Sequence, residues 1–213
     1  AQAAKSFPVS QFSYFISDYE AELAKLSKSV TKTKPEIEAD IAAAEAAGNQ
    51  RLAAAAIEQL LTKEPSNPAL WLQLATALSE AEPINDSDGY TLPSRVIGAG
   101  LRAYMLAPDA EDEAAALAIA AGGLAKREYW RPALLAYKES LKLAADPELR
   151  ETYETLRIER GFRVIDYKVD NDATPPRVCF EFSEPVSRTV TDFTPYFRQE
   201  PGPLAAVTAE GTR

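Results

Sequence analysis

The chain has no histidine among its 213 residues, a single cysteine and a single methionine. Without histidine it lacks the commonest general base and the commonest zinc ligand. With Cys179 alone it has neither an internal disulfide nor a Cys/His metal cluster. That thiol is either free or half of a bridge to a cysteine outside this chain. GxGxxG, phosphate-loop and GxSxG patterns are missing. No apolar run approaches the ~20 residues that cross a bilayer. Positive charge is scarce: 23 Lys and Arg stand against 32 Asp and Glu, for a net charge of −9. The cations are scattered, which argues against nucleic acid and anionic lipid as partners, because both are held by clustered Lys and Arg. Carboxylates are plentiful, so a catalytic pair stays open as chemistry, but most of them read as solvated helix faces. The expectation is a chain that is not an enzyme and takes no metal or cofactor.

What remains is ordinary globular composition, 46% hydrophobic and 26% charged. The chain opens on Ala1-Gln2-Ala3-Ala4, without an initiator Met or a signal-peptide pattern, and is expected to be a piece of a longer precursor. Over residues 9–30 the apolar side chains Phe12, Ile16, Tyr19, Leu23, Leu26 and Val30 recur at steps of three and four, one stripe of an amphipathic helix. The run Thr31-Lys32-Thr33-Lys34-Pro35 breaks it. Pro35, Glu36 and Glu38 suit the first turn of the next helix.

A repeat follows. Gly48-Asn49 marks a turn; Ala53, Ile57 and Leu60 line a helix; Pro65 closes the unit and Trp71 opens the next helix. The pattern returns with Gly100, Ala103 and Pro108, 43 residues separating the two prolines, and again with Trp130, Ala133, Tyr137, Ser140 and Leu141. This spacing resembles the tetratricopeptide repeat (TPR), whose units recur at about 34 residues. The longer period predicts insertions, with residues 79–93, SEAEPINDSDGYTLP, as the obvious loop. The resemblance implies a right-handed stack of antiparallel helix pairs, a helical solenoid in which Gly48, Ala53, Leu60, Pro65, Trp71, Ala103, Pro108, Trp130 and Tyr137 are packing positions. Gly122-Gly123 is expected to end the helix that starts near Glu111, unless LAKREYW extends it. Pro147 opens a last helix with Leu149, Tyr153 and Leu156 as its stripe, and Gly161 is its expected left-handed stop.

The period then changes to two. Residues 162–170, FRVIDYKVD, alternate Ile165, Tyr167 and Val169 against Val164, Asp166 and Lys168. Residues 177–184 set Val178, Phe180 and Phe182 against Cys179, Glu181 and Ser183. Two antiparallel strands around the loop NDATPP are predicted, with Pro185 ending the second. VSRTVTDFTPYF is a candidate further edge, and the Pro- and Gly-rich tail after it reads as mobile.

The junction resembles the N-terminal region of bacterial alpha-2-macroglobulin-family proteins. The matching residues are Gly161-Phe162-Arg163-Val164, Asp170-Asn171-Asp172, Pro176-Arg177, Cys179 and Phe182-Ser183-Glu184-Pro185-Val186. The resemblance implies a helical segment leading into the first of a row of macroglobulin-like β-sandwich domains, in a periplasmic parent chain that inhibits endopeptidases by trapping them. It divides the chain into an N-terminal amphipathic helix (1–32), a TPR-like helical domain (33–161) and an incomplete macroglobulin-like β domain with its tail (162–213). Neither the thioester motif nor a bait region maps onto this chain. Cys179 is followed by Phe180-Glu181-Phe182, not by the thioester pattern. The resemblance makes Cys179 the partner of a later cysteine in the same β domain, and hence a free thiol here.

Two functions are therefore expected. One is a non-catalytic scaffold or docking module at the front of a protease trap, bound to the other domains of its parent chain. The other is a free-standing periplasmic TPR-like scaffold for protein–protein interaction, holding a peptide or protein in its helical groove. Residues 162–213 are expected either to pair poorly without the rest of their domain or to dock as a small hairpin on the last helix.

Overall fold

A computed structural model describes residues 5–174, 176–186, 192–198 and 207–208. They form two compact units divided after Glu159. The first is helical and the second carries a two-stranded antiparallel sheet.

The first unit opens with a 3-10 turn, Val9–Phe12, that runs into α1, Ser13–Leu26. The expected stripe is the buried one: Phe12, Ile16, Tyr19 and Leu23 are core residues, joined by Phe15, with Leu26 and Val30 packed at its margin. The helix is shorter than its apolar pattern. Beyond Leu26 the hydroxyls of Ser27 and Ser29 donate to the carbonyls of Ala24 and Leu26, local bonds that compete with helix propagation. α2, Lys34–Ala46, starts on a capping box in which Thr33 and Glu36 satisfy each other's end of the turn, with Pro35 beside it.

Side-chain caps set the next starts. Asn49 accepts from the Leu52 N–H ahead of α3, Gln50–Leu61. Asn67 does the same for α4, Pro68–Glu80; Asn85 for α5, Asp86–Leu106; and Asp109 for α6, Ala110–Lys126. Each such cap is worth about 1 kcal/mol. α7, Trp130–Leu143, and α8, Pro147–Arg160, complete the unit. Each helix from α2 to α6 packs on the next, α4 also meets α6, and α1 lies against α3 and α5. Leu149, Tyr153 and Leu156 of α8 pack at the margin of the same core.

Three expectations are corrected here. The stretch 79–93 is not a loop: it holds the end of α4, a short connection and the first eight residues of α5. The Asn85 cap and the acidic Asp86 and Asp88 nucleate α5, and Pro93 is carried inside it as a buried ring. Gly122-Gly123 does not end α6, which continues to Lys126. A Cβ on Gly123 would sit 2.8 Å from Ile97 Cγ1 and 3.0 Å from the Pro93 carbonyl, so the residue is small because α5 and α6 touch there. Gly161 follows α8, but it is Gly48 that takes the left-handed conformation among the described glycines.

In the second unit β1, Val164–Asp170, pairs with β2, Arg177–Phe182. The strands do pair, in a register that sets Tyr167 opposite Phe180 and Val169 opposite Val178. An irregularity at Ile165 shifts the phase, so Val164 pairs with Phe182. Val164 thereby joins the face of Tyr167 and Val169, which corrects the simple alternation expected for β1. Of VSRTVTDFTPYF, residues 187–191 lie outside the described residues, and Thr194–Tyr196 forms a 3-10 turn, not a strand. Residues 199–206 and 209–213 of the tail also fall outside them.

Candidate functional site

The sequence-derived positions fall into two places. Ala53, Leu60, Trp71, Ala103 and Tyr137 are buried in the helical core. Gly48 sits in the α2–α3 turn at φ 65°, and Pro65 and Pro108 lie in the connections before α4 and α6. Trp71 donates its indole N–H to the Pro65 carbonyl at 2.8 Å, which ties the α3–α4 connection to α4. Trp130 is half-buried at the start of α7. These side chains pack helices together; of them, Pro65 and Trp71 share one open depression of about 230 Å³, with Leu23 and Leu61. Cys179 is a free, exposed thiol on β2.

Beneath α1 lies an ionic cluster that the sequence did not announce. The Tyr19 phenol donates to Glu58, and the Arg95 guanidinium meets the same carboxylate. Glu22 stands 3.7 Å from Arg95, whose guanidinium lies 5.2 Å from the Tyr19 ring centre. The Tyr19 ring also meets Trp71 edge-on at 5.9 Å. Burial and the Glu58 charge push the Tyr19 phenol well above its ordinary pKa. With a cation and a phenol on it, Glu58 is a structural anion that joins α1, α3 and α5. Among the described residues no group of three or more His, Cys, Asp or Glu side chains could hold a metal ion.

Two surfaces remain as candidates for interaction. The first is one face of the hairpin. Val164, Tyr167, Val169, Val178 and Phe180 share it and are all exposed, Tyr167 by 66%. Phe162 stacks on Phe182 at 5.0 Å and Phe197 lies 6.0 Å from Phe180, partial covers at best. The opposite face is charged, with Arg177 3.3 Å from Asp170.

The second surface gathers residues from α1, the start of α5 and the α6–α7 turn. Arg127 stacks on Tyr90, its guanidinium carbon 3.6 Å from the ring centre, and donates to the Tyr90 carbonyl at 3.1 Å. The Tyr129 phenol lies close enough to act on the guanidinium, and Tyr14 on Tyr129. The Tyr14 phenol is pushed up to about 12 by burial and by its bond to Tyr129; the Tyr129 phenol is lowered by Tyr14 and then Arg127. The turn that presents Tyr129 places Glu128 at φ 61°. The sequence clue was available but indirect: Ala133, Tyr137 and Ser140 follow Glu128 at the intervals at which Ala53, Ile57 and Leu60 follow Gly48.

No family model, no curated protein and no solved structure matches the chain.

Proposed function

We propose that this chain is the non-catalytic N-terminal scaffold and docking module of a bacterial alpha-2-macroglobulin-like endopeptidase inhibitor, lacking bait region and thioester itself. The observation that carries the reading is the uncovered apolar face of the hairpin. A two-stranded sheet is at best marginally stable alone. One with five exposed large apolar side chains on a single face is built to be covered by a second sheet. In this reading β1 and β2 are the opening strands of a β-sandwich, Cys179 awaits a cysteine later in that sandwich, and the parent chain is periplasmic.

The helices are read as three TPR-like pairs, α2–α3, α4–α5 and α6–α7. Support comes from the two turns that enter α3 and α7. In the first, the Gly48 N–H donates to the Glu45 carbonyl and the Asn49 N–H to that of Ala44; in the second, Glu128 donates to Ala125 and Tyr129 to Leu124. Both are left-handed helix stops of the same type, at equivalent places in the repeat. Ser140, the third-copy counterpart of Ala103, is buried and donates to the Ala114 carbonyl at 2.8 Å, which joins α7 to α6.

The test is the gene beyond the Arg213 codon, followed by expression of the chain extended through the next β-rich segment. The extended protein is expected to bury Tyr167 and Phe180 and to oxidise Cys179 to an intramolecular disulfide. A stop codon shortly after Arg213 sinks the reading and leaves the free-standing scaffold. So does an extended chain in which Tyr167 and Phe180 stay exposed.

A further inference from the structure

The patch around Arg127 does something the core does not need. Three arginines that reach across the helical unit meet carboxylates: Arg51 meets Asp88, Arg95 meets Glu58 and Arg102 meets Glu20. Among the described residues Arg127 meets the ring and the carbonyl of Tyr90 instead of a carboxylate, so its positive charge is oriented but not neutralised. In a chain of net charge −9 this is an unusual resource. Tyr90 is 65% exposed, Tyr14 45% and Tyr129 36%, so three rings surround the cation at the surface. Fixed tyrosines around an arginine are the composition of binding hot spots, because they supply contact area and hydrogen bonds at little entropic cost.

A crevice opens beside the patch. Gly89 and Lys126, the neighbours of Tyr90 and Arg127 in the chain, line an open depression of about 290 Å³ whose walls are Pro83, Leu92, Pro93 and Val96. The apolar walls thus run up to Lys126, one residue before Arg127 in the chain.

We propose that this surface, between the N-terminal half of α5 and the end of α6, docks a linear acidic segment of a partner protein. An apolar side chain of the segment enters the Pro83–Pro93 crevice, and a neighbouring Asp or Glu carboxylate bonds Arg127. Charge complementarity selects the occupant: a basic or neutral segment would leave the guanidinium facing no anion. The Tyr90 stack holds the guanidinium plane for a bidentate bond, a role that lysine does not reproduce. The proposal concerns the helical unit alone, so its outcome is independent of what lies beyond the β strands.

The experiment pans a random decapeptide phage library on the full chain, with Arg127→Ala as counter-selection. The best peptide is then synthesised with a fluorescent label for anisotropy titration. The expected result is enrichment of sequences with Asp or Glu beside Leu, Ile or Pro. Affinity should fall about tenfold or more with Arg127→Ala, less with Arg127→Lys, and several-fold with Tyr90→Ala. Binding should also weaken as salt is raised. Replacing the peptide's acid by its amide, tested on the unaltered protein, should cost a similar factor and does not depend on how well any variant folds. No enrichment, enriched peptides without a common acidic position, or equal affinity for the amide peptide overturns the proposal.

Discussion

The Tyr19 phenol donates to the Glu58 carboxylate and so ties α1 to α3. Arg95 of α5 meets the same carboxylate, which makes Glu58 the shared anion of three helices. Removing the phenol leaves Glu58 its cation, whereas removing the carboxylate leaves Arg95, in a partly desolvated site, with only the exposed Glu22 at 3.7 Å. Tyr19→Phe is expected to cost about 1–2 kcal/mol. Glu58→Gln should cost more, about 3 kcal/mol. Urea unfolding followed by circular dichroism reads both, and the order of the two losses is the check.

Tyr19 also sets an alkaline limit. Its pKa is raised in the folded protein by burial and by Glu58, and burial raises that of Tyr137. For a group raised on folding, the stabilisation is fully present below the unfolded value, about 10 for tyrosine, and is lost as pH rises through the folded value. Stability should therefore hold from neutrality to about pH 10 and then fall. Tyr19→Phe should flatten that fall by one proton's worth, about 1.4 kcal/mol per pH unit. In an absorbance titration of the nine tyrosines, Tyr129 should ionise early, and Tyr14, Tyr19 and Tyr137 late. An alkaline limb unchanged by Tyr19→Phe would refute the assignment.

Two glycines on neighbouring helices should answer an alanine in opposite ways. At Gly98 a Cβ would stand 2.5 Å from the Phe15 carbonyl oxygen, because the α1 backbone rests directly on α5. Neither backbone can yield cheaply, so Gly98→Ala should destabilise by about 1–3 kcal/mol despite alanine's better helix propensity. At Gly122 the nearest atom is the Tyr137 hydroxyl at 3.6 Å, and Gly122→Ala should stabilise by about 0.5–1 kcal/mol. Thermal unfolding of the pair decides it; a Gly98→Ala protein as stable as the parent would mean that α1 does not sit where it is described.

Glu128 gives a test of the repeat. It holds the left-handed place that Gly48 holds in the earlier turn, at a cost of about 1–2 kcal/mol for a residue with a side chain. Glu128→Gly should recover about 1 kcal/mol, and Gly48→Ala should lose a similar amount. If Glu128→Gly is neutral or harmful, the side chain does more than tolerate the turn.

The apolar stripes and proline-led starts were legible in the sequence because they are local: Phe12, Ile16, Tyr19 and Leu23 need only a period, and Pro35 with Glu36 only a place in the first turn. What was not legible depends on partners far along the chain. Pro93 and Gly89 read as loop residues, and only the strong Asn85 start and the burial of Pro93 against the core make them helical. Gly122-Gly123 read as a stop, although the second glycine is dictated by Ile97 on another helix. The Arg127 cluster joins residues 14, 90, 127 and 129, a set no window reveals. The phase of β1 failed by one residue at Ile165, because an irregular pairing leaves no mark in a two-residue alternation.

The hairpin face carries the last prediction. Val164, Tyr167, Val169, Val178 and Phe180 present a contiguous apolar surface to solvent, the kind of face that binds hydrophobic dyes and other exposed strands. The full chain should therefore enhance anilinonaphthalene sulfonate fluorescence at neutral pH while fully folded by circular dichroism. Tyr167→Thr with Phe180→Thr keeps strand propensity and opposite positions in the register, so it should remove most of that signal without moving the unfolding of the helices. The contrast separates an exposed sheet face from a loosened helical core. A core that had loosened would keep binding dye in the double variant and would lose its sharp thermal transition.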